Sequence, residues 1–207
     1  MRPLNKLDDV EKYKHYGNLT QPFLSKKFIY DKIMLDLDHK HKSKDSEYFL
    51  LSLFLWIHHN VKYSHEQDIQ NLKFMRSAQE IWESKKASGC TDFAILFATF
   101  ARTLGIPTSI LYTASVEWLE KLKNGDESTM HIGHTFCECY FNSEWILVDP
   151  TSKRIEKSYN PEKIKLSYHV VGENVFVPYY RGLDLGKKLN TKEHNKMMDN
   201  LCSEIKI

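Results

Sequence analysis

Apolar positions along the chain follow two rhythms, a helical one before Pro107 and an alternating one after it. From Phe93 they recur at Phe93, Ala94, Leu96, Phe97, Phe100, Ala101 and Leu104, the i, i+3, i+4, i+7 spacing of a helix with a buried face. This is the most apolar helix the sequence predicts. Ser88 is placed to cap its start and Gly105, before Ile106-Pro107, to stop it, which puts Cys90 in the first turn. Upstream, Phe49, Leu50, Leu53, Phe54, Trp56 and Ile57 give residues 46–61 a wide apolar face, and residues 26–37 predict a further helix. Ser77-Ala78-Gln79-Glu80 has the spacing of a capping box and opens a short helix through Ile81 and Trp82 to Lys86. Before residue 25 periodic apolar positions are few, and Val10, Tyr13, Leu19 and Phe23 predict an arm packed irregularly onto the body.

Beyond Pro107 the texture changes. Residues 108–115 are rich in β-branched and aromatic types and predict a strand. A polar insertion at 117–129 carries Leu119 and Leu122, enough for a short helix, and ends in an exposed turn at Lys123-Asn124-Gly125-Asp126. Two strands are expected at 133–141 and 144–148 and a third at 168–177; residues 191–205 read as a helix with Met197, Met198 and Leu201 inward. Helices precede strands, which predicts an α+β fold with a helical layer on an antiparallel sheet. No repeat or flexible linker divides residues 1–207, so a single domain is expected.

Composition narrows the classes. With 42% hydrophobic and 27% charged residues the chain resembles an ordinary globular protein, and a net charge of +2, with lysines interleaved among acids, offers no stripe for nucleic acid. Its longest apolar run, 48–57, is broken by Ser52 and is too short to span a membrane. The four cysteines do not form a disulfide framework, and residues 1–20 lack the apolar segment of a signal peptide, so a reduced, cytoplasmic setting is expected. His39 and His41 sit in a solvated lysine run and read as surface residues rather than metal ligands.

Cys90 carries the chemistry. At a helix start, unpaired N–H groups and the positive end of the macrodipole favour thiolate over thiol and can hold a developing oxyanion. A lone cysteine among apolar residues equally fits a small buried hydrophobe. A base elsewhere decides between the two. If residues 134–149 form a hairpin turning on Asn142-Ser143, Phe141 faces Glu144, Phe136 faces Asp149, and His134 becomes the diagonal neighbour of Asp149 on one face. Diagonal pairs lie about 7–8 Å apart at the backbone, within reach of an imidazole and a carboxylate. Cys137 and Cys139 then point to the opposite face, which argues against a His-Cys-Cys metal cluster. His131 competes for the role of base but has no equally placed carboxylate.

The series Gly89-Cys90-Thr91-Asp92-Phe93-Ala94, Arg102-Thr103-Leu104-Gly105-Ile106-Pro107, His134-x-Phe136-x-Glu138 and Trp145-x-x-x-Asp149-Pro150-Thr151 resembles the core motifs of the transglutaminase-like superfamily. The motif core covers about 60–151, with 1–45 as an N-terminal helical arm and 178–207 as a C-terminal extension. The resemblance implies a papain-like α+β fold with Cys90 as nucleophile, His134 as general base and acid, and Asp149 as orienter. Phe136 stands where the family often has tryptophan. Glu138 is expected to support the site, paired with Arg102; Asp92 to order the first helical turn; and Arg102 to lie on a buried face or to bind a substrate carboxylate. Trp56, Asn60, Gln79 and Trp82 are candidate second oxyanion donors. The implied reaction is thiol-dependent acyl transfer from a peptide or glutamine-type amide to water or to an amine acceptor, without cofactor or metal. Removal of sugar from glycoasparagine, as in peptide N-glycanases, is an alternative within the superfamily; a non-catalytic interaction domain that keeps the fold is another.

Overall fold

Helix α5 (Cys90–Thr103) is buried around its whole circumference, every residue from Thr91 to Arg102 being shielded from solvent. A helix apolar on all sides must be covered on all sides. The computed structural model describes residues 6–38, 46–126, 133–157, 159–162, 166–168, 174–185, 199 and 203. Around α5 lie helices α1 (Lys26–Asp38), α2 (Ser46–Asn60) and α4 (Ala78–Ser84) on one side and a sheet on the other, with the short α3 (Gln67–Gln70) between α2 and α4 in the chain. Phe54 of α2 stacks on Phe97 with centroids 4.8 Å apart, and Trp56 and Trp82 both close on Phe100. Burying one such aromatic side chain contributes on the order of 2–3 kcal/mol. The arm before residue 25 behaves as expected: Tyr13, in a short 3-10 helix at Glu11–Lys14, is fully buried and meets Trp145 edge-on at 5.6 Å.

Both ends of α5 are built by glycine. At the C-terminus Gly105 has φ +94, and the N–H groups of Gly105 and Ile106 bond to the carbonyls of Arg102 and Ala101, the Schellman arrangement. At the N-terminus the cap is Gly89, in extended conformation and without a side-chain cap. Ser88, expected to cap, gives both its N–H and its hydroxyl to the Asp92 carboxylate instead. The capping box of α4 is formed as read, Ser77 and Glu80 exchanging backbone bonds.

The sheet contains strands β3 (Thr108–Ser115), β4 (Gly133–Phe141), β5 (Glu144–Asp149), β6 (Arg154–Glu156), β7 (Leu166–Tyr168) and β8 (Asn174–Gly182) in the order β6-β5-β4-β3-β8-β7. All neighbours are antiparallel. A separate two-residue parallel pair, β1 (Lys62–Tyr63) with β2 (Lys86–Ala87), fastens the chain just before Cys90. Helix α6 (Val116–Lys123) forms the insertion after β3 and seats Trp118 and Leu119 against Ala114 and Val177. The β4–β5 hairpin turns on Asn142 (φ +50) and Ser143 (φ +68), both left-handed as a two-residue turn requires, with Phe141 opposite Glu144.

One strand differs from expectation. In place of a single strand over 168–177 there are two, β7 and β8, and β8 runs on to Gly182. Pro178, just past the expected end, lacks a donor; the structure accommodates it where the β3–β8 register shifts between Tyr112 and Thr113, and bulges tolerate proline. The expected helix at 191–205, the pair His39 and His41, and His131 lie outside the described residues, apart from Asp199 and Ser203, which are helical.

Candidate active site

Three elements converge on one point. Cys90 opens α5, His134 begins β4 and Asp149 ends β5. The hairpin register brings the last two together, His134 Nε2 lying 2.9 Å from Asp149 Oδ2. The imidazole and the Cys90 thiol are close enough for each to favour the charged form of the other. The thiol also lies 3.7 Å from the Thr135 hydroxyl, itself bonded to Thr91 at 2.9 Å. Phe136 meets the His134 ring edge-on at 4.6 Å and Phe176 closes the cage at 6.0 Å, so the imidazole keeps only 12% of its side chain exposed.

Asp149 is held more firmly than its partner. Besides His134 it accepts the Ser152 hydroxyl at 2.5 Å and the N–H groups of Thr151 and Ser152 at 2.9 and 3.1 Å. Burial would raise its pKa, but the imidazolium and these donors outweigh that and hold it below the usual carboxylate value. Burial likewise opposes charge on His134, yet Asp149 and the Cys90 sulfur carry its pKa up to about 10. For Cys90, burial pushes the thiol up, while His134 and the Thr135 bonds bring it, on balance, below its ordinary value. The three shifts run in one direction, each favouring the charged form of its group beside the other two.

Glycine at the cap has a further consequence. The N–H groups of Cys90, Thr91 and Asp92 begin the helix without an intrahelical acceptor, and Gly89 has no side chain to occupy them. Their positive end of the dipole faces the sulfur. Asp92, buried nearby, has one carboxylate oxygen, Oδ2, paired with Arg76 and bonded to the Ser88 N–H and hydroxyl.

Of the other expected site residues, several lie elsewhere. Glu138 does not meet Arg102. It forks onto Arg181, Nε and Nη2 each 2.8 Å from a carboxylate oxygen, and takes the Tyr159 hydroxyl at 2.5 Å. Arg102 is buried and used up within the fold, donating to the Thr108 and Leu183 carbonyls and the Thr20 hydroxyl; burial lowers its pKa to about 10, so it does not present itself to a substrate. Trp56 and Trp82 flank Phe100, ten residues and roughly 15 Å along the helix axis from Cys90. Gln79 is exposed and bonded to Glu83, and Asn60 donates back to the Trp56 carbonyl.

Residues not anticipated at the site are Thr135, Ser152 and His58. Asp149-Pro150-Thr151-Ser152 has an aspartate followed by N–H donors two and three residues on, a turn signal that could have revealed Ser152. His58 stacks flat on Phe93 (4.4 Å, 11°) and donates from Nε2 to the Pro150 carbonyl at 2.7 Å, tying α2 to the loop after Asp149. Burial lowers its pKa, keeping it neutral for this role. Among the described residues no cluster of three or more His, Cys, Asp or Glu is arranged to hold a metal ion, and no helix is long and apolar enough to cross a membrane.

The fold and the site can be set beside known proteins. A solved structure from Cytophaga hutchinsonii, provisionally described as a cysteine protease, superposes with a TM-score of 0.55 at 19% identity over 86% of this chain and 48% of that one. The chain thus spans about half the length of that protein, and the likeness is one of fold. A second structure, of a TGase, aligns with a TM-score of 0.38 at 15% identity over 70% of this chain and 35% of that one. No curated protein matches the sequence. A family model matches residues 35–150, more than half of the 207, and ends immediately after the third of the converging side chains; the chain belongs to the transglutaminase-like superfamily.

Proposed function

We propose that this protein carries out thiol-dependent acyl transfer at an amide, with Cys90 as nucleophile, His134 as the proton carrier and Asp149 as its orienter. The observation that carries the reading is the His134–Asp149 contact at 2.9 Å beside a thiol at a helix start whose cap leaves its N–H groups open. The Cys90 thiolate attacks the carbonyl carbon of a carboxamide or peptide bond. Charge gathers on the carbonyl oxygen, and the N–H groups of the first turn of α5 are the donors available to it. The imidazolium of His134 gives a proton to the departing amine, the C–N bond breaks, and a thioester remains on Cys90. His134, now neutral, takes a proton from water or from an acceptor amine, which attacks the thioester and frees the thiolate. Throughout, Asp149 fixes the ring and balances its charge.

Hydrolysis and transamidation differ only in the final nucleophile. Incubating the protein with casein in the presence and absence of a dansyl-amine acceptor separates them. Dansyl incorporation marks transfer, whereas new peptide termini or released ammonia mark hydrolysis; the thioester on Cys90, trapped by acid quench and mass spectrometry, is expected in both cases. If casein and a panel of glutamine- and asparagine-containing peptides all leave Cys90 unmodified, the reading fails.

A further inference from the structure

We propose that Lys73 is a specificity-determining residue of this site, holding the carboxylate of an acidic side chain on the substrate; the inference rests on Cys90 as the nucleophile. Lys73 lies in the loop 71–76 between α3 and α4, and that loop is fastened to the start of α5 at both ends. On one side Gln70 donates from Nε2 to the carbonyls of Ser64 (2.6 Å) and Ser88 (3.0 Å). On the other, Arg76 is paired with the buried Asp92 and bonded to the Lys86 carbonyl at 2.9 Å. Between them Phe74 adopts φ +65, uncommon for a bulky residue, and packs against the core. Its neighbour Lys73 is left on the exposed side.

The loop delivers the Lys73 side chain over Gly89. Among the described residues beyond its two chain neighbours, a Cβ built on Gly89 would find only Lys73 Cε, at 3.5 Å, within 4 Å. The residue before the nucleophile is therefore open ground bordered by one lysine. Nearby Lys86 is paired with Glu66 at 2.6 Å, but among the described residues no acidic partner lies within salt-bridge distance of the Lys73 ammonium. Nor is it among the leading influences on the Cys90 thiol, which are His134 and Thr135. A cation with no acidic partner among the described residues and no leading part in tuning the nucleophile, standing beside the residue before it on a braced loop, is available to the substrate. Lysine suits an acidic group approached as a point charge in water.

Three neutral-or-anionic alkylating peptides test this: N-iodoacetyl-asparagine amide, its isostere with a side-chain carboxylate (N-iodoacetyl-aspartic acid α-amide), and its isostere with a main-chain carboxylate (N-iodoacetyl-asparagine). Rates at Cys90 are followed by mass spectrometry, each divided by the neutral probe's rate in the same variant so that any change in the thiol cancels. The side-chain carboxylate is expected to react about fivefold faster than the neutral probe, the size of an exposed ion pair. The ratio should fall to about one in Lys73→Ala, below one in Lys73→Glu, and shrink at roughly 1 M salt as charges are screened. An unchanged ratio in both variants overturns the proposal, as does a preference confined to the main-chain carboxylate. If even the neutral probe reacts with Cys90 no faster than with an ordinary surface thiol, the failure lies in the nucleophile reading itself.

Discussion

Cys90→Ala is expected to abolish acyl transfer, with a loss on the order of 10⁴-fold or more, while the protein stays folded. The thiol stands at the first helical position, where alanine is the best helix former, and it is partly exposed, so its removal opens no sealed cavity. Its contacts are with His134 and Thr135, and the His134–Asp149 bond survives without it. The buried thiols Cys137 and Cys139 behave in the opposite way: they face α5 within the core, and alanine there should cost about 1–2 kcal/mol of stability and leave Cys90 chemistry intact. Thioester trapping and thermal melting, measured side by side, separate the two classes. Turnover in Cys90→Ala above the uncatalysed rate would count against the nucleophile assignment.

The largest effect on stability is expected at Arg181. Its guanidinium is 3% exposed on the side chain and clamps a fully buried Glu138, from which Arg181→Ala would remove both charge-assisted bonds. Leaving a buried carboxylate uncompensated costs about 3–5 kcal/mol, or roughly 10 °C in melting temperature for a chain of this size. Burial already pushes the Glu138 carboxyl up, with Arg181 and Tyr159 pulling against it. Without Arg181 the folded pKa rises further above the unfolded one, so the stability that comes from holding the proton is present at low pH and lost as pH rises through the folded value. The deficit should therefore be greater at pH 8 than at pH 5. Arg181→Met combined with Glu138→Leu should recover part of it, since an apolar pair of similar size leaves no charge uncompensated, while the Tyr159 hydroxyl and the Pro161 carbonyl lose their partners. A variant as stable as the wild type at both pH values would show that the ion pair contributes nothing.

The helical spine and the hairpin could be read before any coordinates because their signals are local. A two-residue turn sets every pairing in β4 and β5, which is why the approach of His134 to Asp149 follows from counting. Gly105 ends α5 through its own backbone, and the motif order around Cys90 reflects the superfamily. What escaped was decided by distance along the chain. Alternation places Glu138 on the His134 face but cannot name its partner, and Arg181 arrives 43 residues later on β8, beyond the expected strand end at Val177. The oxyanion candidates were chosen for carrying N–H groups upstream, and three-dimensional packing sends the two tryptophans to the far part of α5. Ser88 was misread because its hydroxyl meets a better acceptor, the Asp92 carboxylate, than an open helix end provides donors. His58 and Thr135 gave no signal, each being defined only by what folds against it.

The most direct test is the pKa of the Cys90 thiol, from the pH dependence of iodoacetamide alkylation in the wild type and in His134→Ala. If His134 activates the thiol, the wild-type value lies below the ordinary thiol value of about 8.5, with an alkaline change near 10 as His134 loses its proton. In His134→Ala the burial that opposes the thiolate remains while its counter-charge is gone, so the value should rise to the ordinary range or above it, and the alkaline change should vanish. The same pKa in both proteins, or a wild-type thiol with an ordinary value, would mean that His134 does not activate Cys90 and that the acyl-transfer account is wrong.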